Sequence, residues 1–248
     1  MLRVIFLGSN GWYDSTTGYT TSILIESSLN NIVLDAGSGF NNIDSYIDYS
    51  RPTYLLISHL HFDHIIGLYS IAKLKIQNRV LIIGGKNIVR NLKKVFNQPF
   101  SAPFESAPFD VEIAEYHSIL SQLPFELEVL PLLHSSPTLG FRLTLEGKTI
   151  AYCSDTGICD NVYKLAQNAD LLITECSYKS EEYHINWPHL NPELAAHIAI
   201  KSKAKKMVLM HFDADRYRSY EDRERACEIC KRHFSNTIIS KDGLIIEM

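Results

Sequence analysis

Short apolar runs bounded by turn residues recur along the chain and predict a protein rich in buried strands. The runs are dominated by Val, Ile and Leu, which favours strands over helices. The strands predicted in the first half lie at 3–7, 21–26, 32–34, 54–57 and 80–83. Those of the second half lie at 111–115, 126–132, 141–145, 149–153, 171–174, 207–210, 237–240 and 244–247, with a hairpin turn at Glu146-Gly147.

Helical patterns alternate with these strands. Helices are predicted at about 68–75, after strand 80–83 as far as about residue 96, from Asn191-Pro192 to about residue 203, and at 220–233. The Pro-rich segment 100–110 predicts an irregular connection near the middle of the chain. Because both halves show a similar order of elements, we expect a duplicated α/β sandwich whose halves are not independent domains.

Composition excludes several classes of protein. The chain has 248 residues, 46% of them apolar and 21% charged, which is typical of a globular protein rather than a disordered one. A net charge of −4 argues against a protein that coats DNA or binds a membrane surface. The apolar start of the chain is too short for a signal peptide, and no apolar run is long enough to span a bilayer. We therefore expect a cytoplasmic protein with no membrane association.

The five cysteines do not form the even set that a disulfide framework requires, which is typical of reduced thiols. Cys227 and Cys230 form a C-x-x-C pair, but the pair lies in a predicted helix and no second pair completes a zinc site. The simpler interpretation is two small residues on a helix.

The strongest motif is His59-Leu60-His61-Phe62-Asp63-His64, directly after predicted strand 54–57. In an extended segment, residues two apart point to the same side, so His59 and His61 can converge on one metal ion. Asp63 and His64 follow the bend and can serve a second ion a few ångströms away, as in two-metal hydrolases. Imidazole and carboxylate together favour first-row divalent cations.

Three further residues of ligand type follow predicted strands: His134, Asp155 and His211. In α/β folds, ligands bind in loops beyond the carboxyl ends of strands. A single His or an Asp before Thr-Gly is weak on its own, since the first is usually a packed residue and the second a turn. Together with the hexapeptide, the three residues form a consistent set.

With these residues in this order, the chain resembles the metallo-β-lactamase superfamily over nearly its whole length. Within it, the ribonuclease Z and phosphodiesterase branch is the most similar, on three segments: LDAGSG at 34–39, HLNPELAA at 189–196, and LMHF at 209–212 followed by Arg216-Tyr217. The second segment has Asn191 in place of a hydroxyl residue, and the third has one extra residue within 213–215. The resemblance implies a single domain over 1–248 with a four-layer αβ/βα sandwich, in which two mixed sheets lie face to face with helices outside.

The resemblance also implies residue roles. One metal would be bound by His59, His61, His134 and Asp155, and a second by Asp63, His64, His211 and the same Asp155. Asp35 would orient a ligand imidazole, although it could equally cap a Gly turn. The catalytic residues implied are Asp63, His189 and Glu175, with Glu175 keeping His189 protonated as a general acid; a strand-end Glu and a helix-flanking His are the structural alternative.

The net charge of the predicted metal centre limits the class of substrate. Two divalent cations carry about +4, and two carboxylates with a bridging hydroxide remove about 3, which leaves a pocket that attracts an anion. We therefore predict a dinuclear hydrolase, with Zn²⁺ favoured over Mn²⁺ or Fe²⁺, in which a metal-bridging hydroxide attacks the phosphorus of a small phosphodiester such as a cyclic nucleotide or short RNA.

Departures from the branch keep alternatives open. In ribonuclease Z enzymes of the usual type, a long arm that clamps transfer RNA is inserted between the segments that match His134 and Asp155. This chain has only 20 residues between those two positions, and they form one predicted hairpin. Transfer RNA 3′ processing is thus the second hypothesis, followed by thioester or lactone hydrolysis and by a metal-stabilised binding or regulatory protein. A homodimer is only what the family suggests.

Overall fold

A computed structural model describes residues 2–77 and 79–248. The strands of these ranges are β1 (Arg3–Gly8), β2 (Asn10–Gly11), β3 (Ser22–Glu26), β4 (Asn31–Ala36), β5 (Thr53–Leu56), β6 (Arg79–Gly84), β7 (Asp110–Glu115), β8 (Glu126–Leu132), β9 (Thr138–Leu145), β10 (Lys148–Cys153), β11 (Leu171–Glu175), β12 (Met207–Met210), β13 (Phe212–Asp213), β14 (Thr237–Ile239) and β15 (Ile245–Glu247). The α-helices are α1 (Phe62–Ile65), α2 (Ile88–Val95), α3 (Tyr116–Ile119), α4 (Asp160–Ala166), α5 (Pro192–Lys201) and α6 (Tyr220–Lys231). Segments Ser38–Ser45, Ile66–Lys73, Phe104–Ser106 and Leu120–Gln122 are 3₁₀ helices.

Two mixed sheets contain most of the strands. The first has seven strands in the order β15-β1-β3-β4-β5-β6-β7, antiparallel from β15 to β4 and parallel from β4 to β7. The second has six in the order β14-β12-β11-β10-β9-β8, parallel from β14 to β10 and antiparallel from β10 to β8. A short ribbon pairs β2 with β13.

Alternation along the strands creates four layers. In β1, Val4 and Phe6 belong to a central cluster shared by both sheets, whereas Ile5 and Leu7 belong to an outer cluster. That outer cluster also contains residues of α2 and of the first two 3₁₀ segments, and a third cluster joins the second sheet to α4, α5 and α6. Strands covered on both faces are apolar throughout, which is why the sequence shows continuous runs. The predicted αβ/βα sandwich is confirmed; the single domain over 1–248 stays a prediction.

Most predicted elements are present, and the structure adds several short ones, among them α1, α3, β2 and β13. The helix predicted at about 68–75 is present at Ile66–Lys73, where it winds as a 3₁₀ helix and packs Gly67 closely against Gly37 and Phe40. Helix α4 and the 3₁₀ segment Ser38–Ser45 were not predicted, since neither carries a long apolar period. The predicted hairpin is present, because Leu145 pairs with Lys148 across the two turn residues.

Two sequence interpretations concern the helices. Among the described residues, no helix is long and apolar enough to cross a membrane. Cys227 and Cys230 are buried on α6, where their thiols face the carbonyl oxygens of Thr237 and Pro192. The two cysteines are therefore core residues of the third cluster and its surroundings.

Candidate metal centre

Seven imidazole and carboxylate side chains meet where strands of both sheets end. The hexapeptide follows β5 of the first sheet and continues into α1. The other three positions follow strands β8, β10 and β12 of the second sheet: His134, Asp155 and His211. The parallel strands β5, β10, β11 and β12 direct their carboxyl ends to one side, so residues far apart in the chain become neighbours there.

The first group of donors consists of His59, His61, His134 and Asp155, whose ligand atoms all lie within 4.8 Å of one another. The Nδ1 atom of His61 is 3.0 Å from Nε2 of His59 and 3.4 Å from Nε2 of His134. Oxygen Oδ2 of Asp155 is 3.7 Å from Nε2 of both His59 and His134. Such separations suit donors around a common cation.

The second group consists of Asp63, His64 and His211. Their facing atoms are close: Nε2 of His64 is 3.1 Å from Nε2 of His211, and Oδ2 of Asp63 is 3.3 Å from the latter. The other oxygen of Asp155, Oδ1, lies 3.2 Å from Nε2 of His64 and 3.1 Å from Nε2 of His211. Asp155 thus presents one carboxylate oxygen to each group.

Hydrogen bonds behind the imidazoles fix their orientation. His64 Nδ1 donates to Oδ2 of Asp35 at 2.8 Å, and the hydroxyls of Ser58 and Tyr152 each donate to the same oxygen at 2.7 Å. The Ser58 hydroxyl oxygen also lies 3.0 Å from Nδ1 of His59. Asp35 has φ 55°, a left-handed conformation that is uncommon for a non-Gly residue and that these hydrogen bonds help to hold. From the sequence, Asp35 could either orient a ligand imidazole or cap a Gly turn; the structure shows the contact with the imidazole of His64.

His211 is held in the same way. Its Nδ1 donates to Ser177 Oγ at 2.9 Å, while that hydroxyl donates to the His211 carbonyl oxygen at 3.0 Å. Fixing Nδ1 leaves Nε2 to face the centre, as metal-binding imidazoles require.

The N-terminal turn closes the second group from one side. The amide of Trp12 donates to Oδ2 of Asp63 at 2.7 Å, and Gly11 lies against the His211 ring. Strand β2 is held beneath this turn by buried Arg223, whose guanidinium donates to Ser9 Oγ and to Asn10 Oδ1. Helix α6 therefore supports the turn through the side chain of Arg223.

A second buried pair adjoins the centre. Nδ1 of His189 is 2.7 Å from Oε1 of Glu175, which also accepts the Thr156 amide at 2.7 Å, and Oε2 accepts the Ser177 amide at 3.1 Å. Burial alone lowers the pKa of His189, but the charge and hydrogen bond of Glu175, together with the charges of Asp155 and Asp213, raise it to about 9. The imidazole is therefore protonated at neutral pH.

The donor set fits divalent metal ions. Burial lowers the pKa of His59, His61 and His134, so these imidazoles are neutral near pH 7 and offer lone pairs. Burial opposes the ionisation of Asp155, but the imidazole of His211 and other neighbours hold its pKa well below the usual range. Burial also opposes protonation of His64 and His211, but the nearby Asp155 carboxylate raises the pKa of both, so a cation bound by these two imidazoles must displace their protons. Imidazoles combined with anionic carboxylates form a donor set that first-row divalent cations favour.

The structure brings together every residue predicted for the site, and metal binding itself stays a prediction. Sequence reasoning missed Ser58, Tyr152, Ser177 and Trp12, all of which hold ligands or their partner carboxylate. Only Ser58 adjoins the motif in the sequence; the other three act through the amide or hydroxyl groups that any such residue carries.

Comparison with known proteins identifies the family. A model described as the beta-lactamase superfamily domain matches residues 30–212, most of the chain. The chain belongs to this superfamily. The predicted family and fold are thus confirmed, and the predicted enzyme class, a hydrolase, agrees with the names of the superfamily relatives.

Relatives of this superfamily member are distant in sequence but similar over most of their length. Ribonuclease Z of Ignicoccus hospitalis is 24% identical over 85% of this chain and 86% of its own length, and the probable metallo-hydrolase YhfI of Bacillus subtilis is 23% identical over 85% and 86%. The crystal structure of YhfI has a TM-score of 0.82 at 21% identity and covers 100% of both chains. The crystal structure of human tRNase Z, short form, has a TM-score of 0.76 at 20% identity and covers 99% of this chain and 98% of its own. That of a diphosphatase of the PhnP family also has a TM-score of 0.76 at 20% identity and covers 100% of this chain and 98% of its own.

Proposed function

We propose that this protein is a dinuclear metal-dependent phosphodiesterase acting on small phosphodiesters, such as a cyclic nucleotide or short RNA. The observation that carries the proposal is Asp155, whose two oxygens face two separate groups of donors. His59, His61 and His134 would hold one ion and Asp63, His64 and His211 the other, with Asp155 shared. Zn²⁺ is the ion we propose, and Mn²⁺ or Fe²⁺ are the alternatives that metal analysis would distinguish.

When bound, the two ions would supply an activated water and neutralise the charge on the phosphoryl oxygens. Hydrolysis joins a water oxygen to phosphorus and breaks the bond to the leaving oxygen, which must take up a proton. His189 is the donor we propose: its Nδ1 is engaged by Glu175, and a ligand nitrogen of its ring lies within 4.8 Å of ligand atoms of Asp155 and His211. The proton released by water balances the one that His189 gives.

The experiment compares wild type with His189→Ala, using bis-p-nitrophenyl phosphate, an alkyl phosphodiester and metal analysis. We expect two metal ions per chain in both proteins. The variant should lose about 100-fold or more of its rate on the alkyl ester and less on the nitrophenyl ester, whose leaving group needs no proton. His184→Ala, an exposed His of the same loop, is the matched control. Loss of metal from the His189 variant would contradict the general-acid role.

Transfer RNA 3′ processing is the second candidate, because relatives at similar distance are named ribonuclease Z. Against it, the chain between His134 and Asp155 forms only the β9–β10 hairpin, which offers no arm to hold a transfer RNA. Cleavage of a precursor transfer RNA at a lower KM than any small phosphodiester would favour this candidate. Thioesters and lactones should be assayed alongside, because their hydrolysis is the next alternative.

The homodimer and the cytoplasmic location stay predictions.

A further inference from the structure

Both tryptophans of the chain lie at the rim of the metal centre and are exposed. Trp12 is 65% exposed and Trp187 is 51% exposed. Indole rings are usually buried, and exposed ones concentrate at sites that bind ligands.

Trp187 stands over the first donor group. Its ring is parallel to that of His61, at an interplanar angle of 5° and a centroid distance of 6.1 Å. It lies 5.8 Å from the ring of His134 and 6.4 Å from that of His189. The backbone of Trp187 is anchored, because its carbonyl accepts the Tyr178 hydroxyl and its amide donates to the His184 carbonyl at 3.3 Å. The backbone that carries the indole is therefore held in place beside His189.

Trp12 belongs to the other half of the centre. Its amide contacts Asp63 while its backbone has φ 70, a strained value that this contact helps to hold. The ring packs edge-on against Tyr13 at 5.1 Å. The indole of Trp187 thus lies beside the first donor group and the backbone of Trp12 beside the second, so the two tryptophans are on different sides of the centre, as the two ester substituents of a bound phosphodiester would be.

Charge around the centre does not suit a long nucleic acid. The loops at 8–20, 58–67, 133–137, 154–159, 176–191 and 211–219 carry three basic residues: Lys179, Arg216 and Arg218. Each of them forms an ion pair: Lys179 with Asp222, Arg216 with Glu182 and Asp213, and Arg218 with Asp215. Because free cations that could neutralise a phosphate backbone are missing from these described loops, affinity must come from another source.

We propose that Trp187 stacks on the nucleobase of the leaving nucleoside and that Trp12 is the platform for the base on the other side. The substrates would then be phosphodiesters that carry nucleobases, rather than aliphatic ones. This inference rests on the proposed function for its cleavage site. Stacking on an indole tolerates any base, so the specificity is for a base as such.

The test compares two substrates that share one adenosine 3′-phosphoryl group: adenylyl-(3′→5′)-adenosine, from which the 5′-linked adenosine leaves, and adenosine 3′-(methyl phosphate), from which methanol leaves. Adenosine 3′-phosphate as the common product verifies which bond to phosphorus breaks. Trp187→Ala should raise KM for the dinucleotide about 5- to 100-fold with little change in kcat, and should leave the methyl ester within about twofold. Trp187→Phe should keep most of the affinity, since a π-face remains. Tyr183→Ala, an exposed aromatic of the same loop, should alter neither substrate. Equal effects of Trp187→Ala on both esters would overturn the proposal.

A binding measurement separates this inference from the proposed function. In a Trp12→Phe variant the remaining indole emission reports on Trp187 alone, and adenosine 5′-monophosphate should quench it saturably whereas ribose 5-phosphate should not. Absence of that difference overturns the stacking role whatever the activity. If the wild type cleaves neither ester, the phosphodiesterase proposal fails, and the quenching still decides whether Trp187 binds a base.

Discussion

The carboxylate of Glu175 shows how tightly single residues are constrained around the centre. Both of its oxygens accept backbone amides, from Thr156 and Ser177, and one of them also faces Nδ1 of His189. A buried carboxylate with three donors is held in one orientation, and so is the imidazole beside it. The charge of Glu175 and the position of His189 are therefore coupled.

Replacing Glu175 by Gln tests that coupling. The variant removes the charge that raises the pKa of His189, so burial dominates and the pKa falls below about 9 toward or under the ordinary value. The protonated form is then lost at lower pH, and the alkaline limb of the kcat profile should move down by at least about one pH unit. The NH₂ group of the Gln side chain would also face one of the two backbone N–H donors, which lowers the free energy of unfolding by about 1–3 kcal/mol. An unchanged alkaline limb in a folded, metal-loaded variant would exclude His189 as the proton donor.

Residues of the centre were predictable where their chemistry is concentrated in a short segment. The hexapeptide stands out because four ligand-type residues occur within six positions. Tyr152 and Ser177 do not stand out, because each contacts a partner 117 or 34 positions away through a common hydroxyl group. The exposure of Trp187 likewise follows only from how its loop packs.

Among the elements, the two-residue strand β2 contacts the centre directly. It pairs with β13, directly after His211, and places Gly11 against the His211 ring. The regular strands were predictable from apolar runs, whereas pairings as short as β2–β13 have no periodic pattern. The same limit explains why three of the 3₁₀ segments, Ser38–Ser45, Phe104–Ser106 and Leu120–Gln122, were not predicted.

Gly11→Ala tests this role of β2. A Cβ atom there would lie 2.5 Å from Cε1 of His211, so the imidazole or the turn must move. We expect lower metal content and at least a tenfold loss of hydrolysis, measured on the purified variant. Gly85→Ala is the matched control, since its Cβ would meet its nearest atom at 3.6 Å, an ordinary contact. Full metal occupancy in Gly11→Ala would contradict the close packing.

At the scale of the whole molecule, the centre joins the two sheets. Four of the donors follow β5 of the first sheet and three follow strands of the second. Bound ions would therefore connect the sheets at one end of the central core, so that unfolding would require their release.

Chelation should consequently lower the melting temperature. At a free metal concentration about 100 times Kd, one ion stabilises the fold by about 2.7 kcal/mol, which corresponds to roughly 5–10 °C for a chain of this size. The measurement is a thermal scan with and without EDTA, with His134→Ala as a partial-occupancy control. A melting temperature that stays constant while metal analysis shows removal would mean that the ions do not connect the sheets.

The separation of the apolar residues into one central and two outer clusters has a consequence for sequence variation. Ile88 lies in the outer cluster of the first sheet and Ile198 in that of the second, with both sheets between them. Ile→Val at each should cost about 0.5–1.5 kcal/mol, and urea denaturation of the double variant should give the sum within about 0.5 kcal/mol. A larger departure would show that strain passes through the sheets. With additive effects, each outer face can drift in sequence without compensation by the other.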